Sequence, residues 1–189
     1  MLRPAVRRLS GSLLPAPVPL DYARSGEVPP DGPPGPVDVI VPVYGAAVEL
    51  GRCLVSLGHH ADWRRHGLIL VADGPQPAAV ESVLERAPAW VPAAALQVLR
   101  NPERRGFVGS VNRGMTQSRR DVVLLNSDAE VTARWLEKLQ AAAYSSSAVA
   151  TVTPFSNNAT LVSLPRPFEA NAIPTGHDVD SFGALVERV

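Results

Sequence analysis

Asp121-Val-Val-Leu-Leu-Asn-Ser-Asp128-Ala-Glu130 sets a short apolar run directly against a group of oxygen-bearing side chains. Val122 to Leu125 is continuous, apolar and rich in β-branched residues, which predicts a central strand covered on both faces by helices. Asn126, Ser127, Asp128 and Glu130 follow at once, so they should project from the carboxyl end of that strand, where open α/β sheets bind their ligands. A carboxylate there can hold a hard divalent cation, and magnesium is usually held by one or two carboxylates plus water and a substrate's phosphates. Asn-Ser-Asp is equally an ordinary turn sequence. The stretch alone leaves both readings open.

Upstream, the chain alternates strand and helix patterns. Asp38 to Tyr44 is a compact apolar strand, with Pro42 near its end because proline lacks a ladder donor. Leu50, Cys53, Leu54 and Leu57 then recur at helical spacing, and Gly58 is placed to end that helix. Leu68 to Ala72 is a second buried strand running into Asp73-Gly74-Pro75, followed by a helix with Val80, Val83, Leu84 and Ala87 on one face. Asp73 again falls at a strand's carboxyl end, where it can cap or turn the chain or hydrogen-bond a ligand's ribose or base. Leu96 to Leu99 is a third, shorter strand. The glycine- and arginine-rich span Arg100 to Met115 follows, with a helix predicted from near Gly106 and Val108, Val111 and Met115 facing the core. Gly106 and Gly109 let backbone approach a ligand, and the start of such a helix offers N–H groups to an anion. The glycine spacing matches neither a Walker loop nor the dinucleotide fingerprint.

Downstream of the opening stretch, Thr132 is a candidate N-cap for a helix with Trp135, Leu136, Leu139 and Ala143 inward, closed by Ser145 to Ser147. Val149 to Thr153 reads as a fifth strand, and Pro154 to Thr160 as a polar loop. From Leu164 the chain is Pro-rich, and Asp180 to Val189 begins another helix. At the other end, residues 1–36 are dominated by Pro, Gly, Ser and Arg and read as a tail or linker.

Composition narrows the classes of function. With 189 residues the chain allows one domain and an extension, or part of a larger protein. Its 18 basic residues balance 18 acidic ones, so no general electrostatic hold on nucleic acid is expected and a phosphate-bearing ligand must be recognised locally. The single cysteine, Cys53, excludes an internal disulfide and a multi-cysteine zinc site and reads as core. No apolar run is long enough to span a bilayer, and Met1 to Leu14 is broken by Pro15, Pro17 and Pro19 before it can serve as a cleaved signal. His59, His60 and His66 read as loop and helix-end residues rather than a metal set, and the Asn158-Ala-Thr160 sequon as chance.

The motifs in order resemble a known family. Val39 to Tyr44, Ala72-Asp-Gly74, Asn101 with Gly106 to Gly114, and Leu124 to Val131 are similar in type and sequence order to those of family-2 glycosyltransferases with the GT-A fold, over about residues 37–165. Thr153 to Thr160 also resembles a segment of bacterial members. The resemblance implies a Rossmann-like α/β/α sandwich on a mostly parallel sheet, incomplete at its C-terminal end. It implies a nucleotide-sugar-binding domain over 37–165, with 166–189 an irregular segment leading towards an acceptor-binding part. By the same resemblance Pro42, Val43 and Tyr44 would border the base, and Asp73 would bind base or ribose. Asn101, Arg105 and Gly106 would lie at the nucleoside or diphosphate, Asn126 at the donor sugar or ribose, and Asp128 would be the metal-binding carboxylate. Asn126 stands where the family usually has the first aspartate of its Asp-x-Asp pair, which leaves a neutral hydrogen bond there.

The implied chemistry is inverting sugar transfer from a nucleotide diphosphate sugar to the hydroxyl of a saccharide or other acceptor, with Mg2+ or Mn2+ on the diphosphate, in the cytoplasm or at the periphery of the inner membrane. No residue recalling the family's base is found among Glu169, Asp178, Asp180 and Glu187, so the chain is expected to hold the donor-binding half and to lack its catalytic base. The alternative is a nucleotide-sugar-binding remnant or partner module without turnover. A nucleotidyltransferase would carry a Gly-rich basic loop after its first strand, where this chain has Tyr44-Gly-Ala-Ala-Val48, and a nicotinamide dehydrogenase would need a different glycine spacing there.

Overall fold

The computed structural model describes residues 34–146 and 148–187. Most of the tail expected over 1–36, together with Ser147, Arg188 and Val189, lies outside the described residues. Four strands, β1 (Val37–Val43), β2 (Gly67–Ala72), β3 (Leu96–Arg100) and β4 (Asp121–Leu124), form one parallel sheet in the order β3-β2-β1-β4. The connecting helices are α1 (Ala47–His60), α2 (Ala78–Arg86) and α3 (Gly106–Gln117), with α4 (Trp135–Ala143) and α5 (Val179–Val186) following the sheet. Alternating strand and helix patterns predict an α/β sandwich on a parallel sheet, and the arrangement is Rossmann-like, as the family resemblance implies.

Strand alternation divides the core between the two faces of the sheet. Val37, Val39, Val41 and Val43 point to one face, where Leu50, Leu54 and Leu57 of α1, Val80 and Leu84 of α2, and Trp135 and Leu136 of α4 close over them. Ile40, Ile69 and Val71 point to the other, covered by α3. The chain winds from β1 to β3 with helices on the first face, then returns under the sheet through α3 to place β4 beside β1. Right-handed crossovers demand that change of face when the direction of winding reverses. The gap between the carboxyl ends of β1 and β4 is therefore a topological switch point, where such sheets bind ligands.

Several expectations need correction. The strand of the opening stretch is not central: β4 pairs only with β1, has no strand on its outer edge among the described residues, and leaves Leu124 45% exposed. A continuous apolar run reports apolar faces and says nothing about how many edges are paired. Val149 to Thr153 forms no strand; only Val149 and Val152 are half-buried. The following segment instead folds on itself, with a bridge between Asn158 and Ala170 and Asn171 buried among Ser163, Arg166 and Glu169. Gly58 does not end α1, which runs on to His60; a Cβ at Gly58 would lie 2.9 Å from the Trp90 carbonyl oxygen, so the glycine serves close packing. Thr132 is not the N-cap of α4; Arg134 holds that place with φ of 59°, and Thr132 lies against Gly183 of α5.

The face that α3 buries also differs. Val108 and Met115 are exposed, and Ser110, Val111 and Gly114 are buried. Small residues let the helix lie close on the sheet: a Cβ on Gly114 would come within 2.5 Å of Ile40 Cγ2. No helix among the described residues is long and apolar enough to cross a membrane.

The Gly114 contact yields a prediction whose sign depends on two opposed terms. Gly114→Ala gains about 1 kcal/mol of helix propensity, but overpacking a filled interface costs about 1–3 kcal/mol, and Ile40 is fully buried. The steric term should win, lowering the denaturation midpoint, and a midpoint equal to or above the parent's would contradict the packing described.

Candidate functional site

A cleft of about 670 Å³ opens at the switch point, a volume typical of small-molecule sites. Pro42, Val43, Tyr44 and Ala46 from the end of β1 form one part of its lining. Asp73 after β2, Arg104, Gly106, Phe107 and Ser110 around the start of α3, and Asn126, Ser127 and Asp128 after β4 form the rest. Strands that end side by side thus bring together residues far apart in sequence. Of the nine residues singled out from the sequence, Pro42, Val43, Tyr44, Asp73, Gly106, Asn126 and Asp128 line this one cleft. The other two stand differently.

Asn101 is buried behind the wall. Its Nδ2 donates to Asp73 Oδ1 at 2.9 Å and to Ser110 Oγ at 3.0 Å, and its Oδ1 accepts from Arg113 at 2.6 Å. Arg105 contributes its backbone: its N–H donates to Asp73 Oδ1 at 2.7 Å, while its side chain lies along Gly109 of α3. Gly106 N–H donates to Asp73 Oδ2 at 3.0 Å, and its φ of 70° is a left-handed conformation that favours glycine. The N–H groups at the start of this helix meet the protein's own carboxylate, Asp73. Asp73 is 5% exposed. Burial acts to raise its carboxyl, but the Arg105 N–H, the Asn101 amide, the Ser110 hydroxyl and the Gly106 N–H together outweigh it and leave the group below the ordinary aspartate value.

Tyr44 and Asp128 are exposed where Asp73 is buried. The Tyr44 ring is 65% exposed, and the Arg104 guanidinium carbon sits 5.8 Å from its centroid. Asp128 forms no ion pair and no side-chain hydrogen bond among the described residues. Cys53 lies at the foot of this corner, its thiol 3.8 Å from the Asn126 carbonyl oxygen. Burial first, then the nearby charges of Asp128 and Glu130, push that thiol up to about 12, so it is a core residue and no nucleophile.

A divalent ion can be tested against this donor set. The described residues contain no group of three or more His, Cys, Asp or Glu side chains able to hold a metal, and the three histidines are otherwise engaged or apart: His66 Nδ1 accepts from Val37 N–H, and His60 meets Asp180. One unpaired carboxylate beside a carboxamide and a hydroxyl, all hard oxygen donors, suits Mg2+ or Mn2+ that draws its remaining ligands from water and phosphate.

Sequence reading missed Arg104 and Gln76. Gln76 Oε1 accepts from Gly45 N–H at 2.9 Å, and its Nε2 donates to the Asp73 and Gly74 carbonyl oxygens at 3.1 Å each, tying the loops after β1 and β2 together. No spacing rule marks such a residue, since its partners are backbone atoms of another loop. A second hollow of about 540 Å³, between α1, α2 and the start of α5, is lined by Glu130, which therefore parts from Asn126, Ser127 and Asp128 and does not line the cleft.

Comparison with known proteins agrees with the fold. The sequence model of the family described as "Glycosyl transferase family 2" matches residues 38–177. Among solved structures, the chain is similar to mannosyltransferase PcManGT from Pyrobaculum calidifontis in complex with GDP-Man and Mn2+, at TM-score 0.51 and 24% identity, over 63% of this chain and 36% of that one. It is also similar to S. aureus TarS, at TM-score 0.43 and 20% identity, over 49% of this chain and 16% of that one. The chain thus spans well under half the length of these solved proteins. No curated protein matches it.

The Asp73 network predicts a definite pH response. A carboxyl whose folded value is depressed adds stability above its unfolded value and loses it as pH falls towards the folded one. The parent protein should therefore lose stability on acidification below the ordinary aspartate range, whereas Asp73→Asn should show a flatter profile there. The variant leaves N–H donors facing an amide nitrogen and should be about 2 kcal/mol less stable at neutral pH. Equal stability of the two proteins at neutral pH would remove the network from its structural role.

Proposed function

The chain belongs to glycosyl transferase family 2, and on that premise we propose that its cleft binds a nucleotide diphosphate sugar for transfer of the sugar to an acceptor hydroxyl. The observation that carries the proposal is the convergence of Tyr44, Asp73, Asn126 and Asp128 on one cleft at the switch point, with Asp128 unpaired among the described residues. Tyr44 offers an exposed aromatic face on which a base can stack, with Pro42 and Val43 beside it. Asp73, with Asn101 and the N–H groups of Arg105 and Gly106, shapes the wall that meets the nucleoside's base or ribose. Asn126 is placed to hydrogen-bond the donor sugar or ribose. Asp128 would hold Mg2+ or Mn2+, helped by the donor's own phosphates; the similar mannosyltransferase was solved with Mn2+ and GDP-Man. When bound, that ion supplies positive charge where the leaving diphosphate becomes more negative.

Transfer by a single displacement, hence with inversion, needs an oriented acceptor hydroxyl and a group that takes its proton. The later carboxylates are committed elsewhere. Glu169 pairs with Arg166, Asp180 with His60 and Glu187 with Lys138, while Asp178 caps α5. These engagements favour a second reading, donor binding without turnover by this stretch of chain, in which the base and the acceptor site come from another segment or partner. A cytoplasmic setting belongs to the same proposal.

The two readings share a first experiment and part at the second. Titrating GDP and UDP into the protein with and without Mn2+ should show metal-dependent binding. Asp128→Asn should weaken it at least about tenfold, or ~1.4 kcal/mol, with an unchanged denaturation midpoint. Unchanged affinity in that variant would take the metal away from Asp128. Release of sugar from GDP-Man or UDP-sugars to added acceptors then separates transfer from binding alone.

A further inference from the structure

Arg104 is the only arginine or lysine side chain lining the cleft among the described residues, and there it makes no ion pair and no side-chain hydrogen bond. Of the nearby arginines, Arg100 is committed to Glu81, Arg113 to Asn101 and the Arg100 carbonyl, and Arg120 to Asp38, while the Arg105 side chain lies along Gly109 and does not line the cleft. The carboxylates within the cleft do not neutralise it. Asp73 is satisfied by the donors around the start of α3, and Asp128 is carried by the segment after β4. The arginine rests instead on the face of Tyr44, an exposed cation–π contact of the weak kind.

The placement of its backbone is built in. Gly74 has a φ of 77°, and a Cβ there would lie 3.0 Å from both the N and the Cγ of Arg104, so the arginine loop is seated on the turn after β2. The side chain beyond that seat is free of polar partners among the described residues. A rigidly anchored arginine with an uncommitted planar fork is suited to bidentate binding of phosphate oxygens, which is far stronger than an exposed contact with a ring.

We propose that Arg104 is the cation that binds the donor's diphosphate, and that Tyr44 is its resting place until a base takes the ring. This inference rests on the nucleotide-binding reading above. It sets Arg104, and not the side chain of Arg105, on the phosphates. It also predicts opposite behaviour for two halves of one ligand: a nucleoside alone competes with Arg104 for the Tyr44 ring, whereas a nucleoside diphosphate recruits it.

The test compares GDP and UDP with guanosine and uridine, in the presence of Mn2+, on the parent protein, Arg104→Ala and Arg104→Lys. Arg104→Ala should bind the diphosphates at least tenfold more weakly and the nucleosides equally well or better. Arg104→Lys should recover part of the diphosphate affinity, because it keeps the charge and loses the fork. The salt dependence of diphosphate binding should be shallower in Arg104→Ala. An equal loss for nucleosides and diphosphates would show that Arg104 merely shapes the loop, and a diphosphate affinity within twofold of the parent would overturn the proposal. A parent protein that binds neither diphosphate would overturn the nucleotide-binding reading itself, a failure distinct from both.

Discussion

A buried carboxylate answered by backbone N–H groups is the constraint on which this cleft depends. Asp73 leaves the end of β2 and receives the N–H groups of Arg105 and Gly106, so the start of α3 is fixed relative to the sheet. Asn101 backs the same carboxylate and reaches on to Ser110 within α3. The cost of burying a charge is met by charge-assisted hydrogen bonds rather than by a counter-ion. Fixing that helix start has two results: Gly114 lies on Ile40, and Arg104, one residue ahead of the anchored N–H groups, is held at the mouth of the cleft. Packing and site geometry are two consequences of one interaction.

The topology supplies the opposite wall. Because α3 returns beneath the sheet, β4 arrives beside β1, and Asn126 to Asp128 emerge next to Pro42 to Tyr44. The pairing ends at Leu124 and Ile40, and one further hydrogen bond, from Leu125 N–H to the Ile40 carbonyl, carries β4 to the point where its polar residues leave the sheet. Cys53 and Ser56 of α1 lie under the turn that follows, with Cys53 Sγ facing the Asn126 carbonyl and Ser56 Oγ accepting from Val131 N–H at 3.1 Å. The metal-binding position proposed for Asp128 is thus supported by a helix as well as a strand.

Much of this was legible from local pattern. Runs such as Val39 to Val43 and Leu68 to Ala72 have to be buried, and the spacing of Leu50, Cys53, Leu54 and Leu57 has one economical solution, so the parallel sheet and its first helices follow from hydrophobic periodicity. The polar residues placed just after strands gathered in one cleft because parallel strands end on the same side. What escaped depended on partners distant in sequence. Edge or centre could not be told from Val122 to Leu125, since edge pairing is decided by other strands. The face of α3 was misjudged because Ser110 and Gly114, which are small and weakly apolar, are buried for closeness, while Val108 and Met115 are not. Gly58 looked like a helix end because its real reason, Trp90, lies more than thirty residues away. Arg104 and Arg105 are adjacent and identical in type, and only the hydrogen-bonded turn decides which guanidinium enters the cleft.

The central claim is that a divalent ion and a nucleoside diphosphate meet between Tyr44 and Asp128. Paramagnetic broadening by Mn2+ tests it directly, using backbone amide signals of the labelled protein with and without GDP or UDP. The account predicts that broadening centres on Asn126, Ser127 and Asp128, extends to Gly106, and strengthens when nucleotide is added. Broadening that centres on Asp178 and Asp180 beside the second hollow, or that ignores the nucleotide, would contradict it.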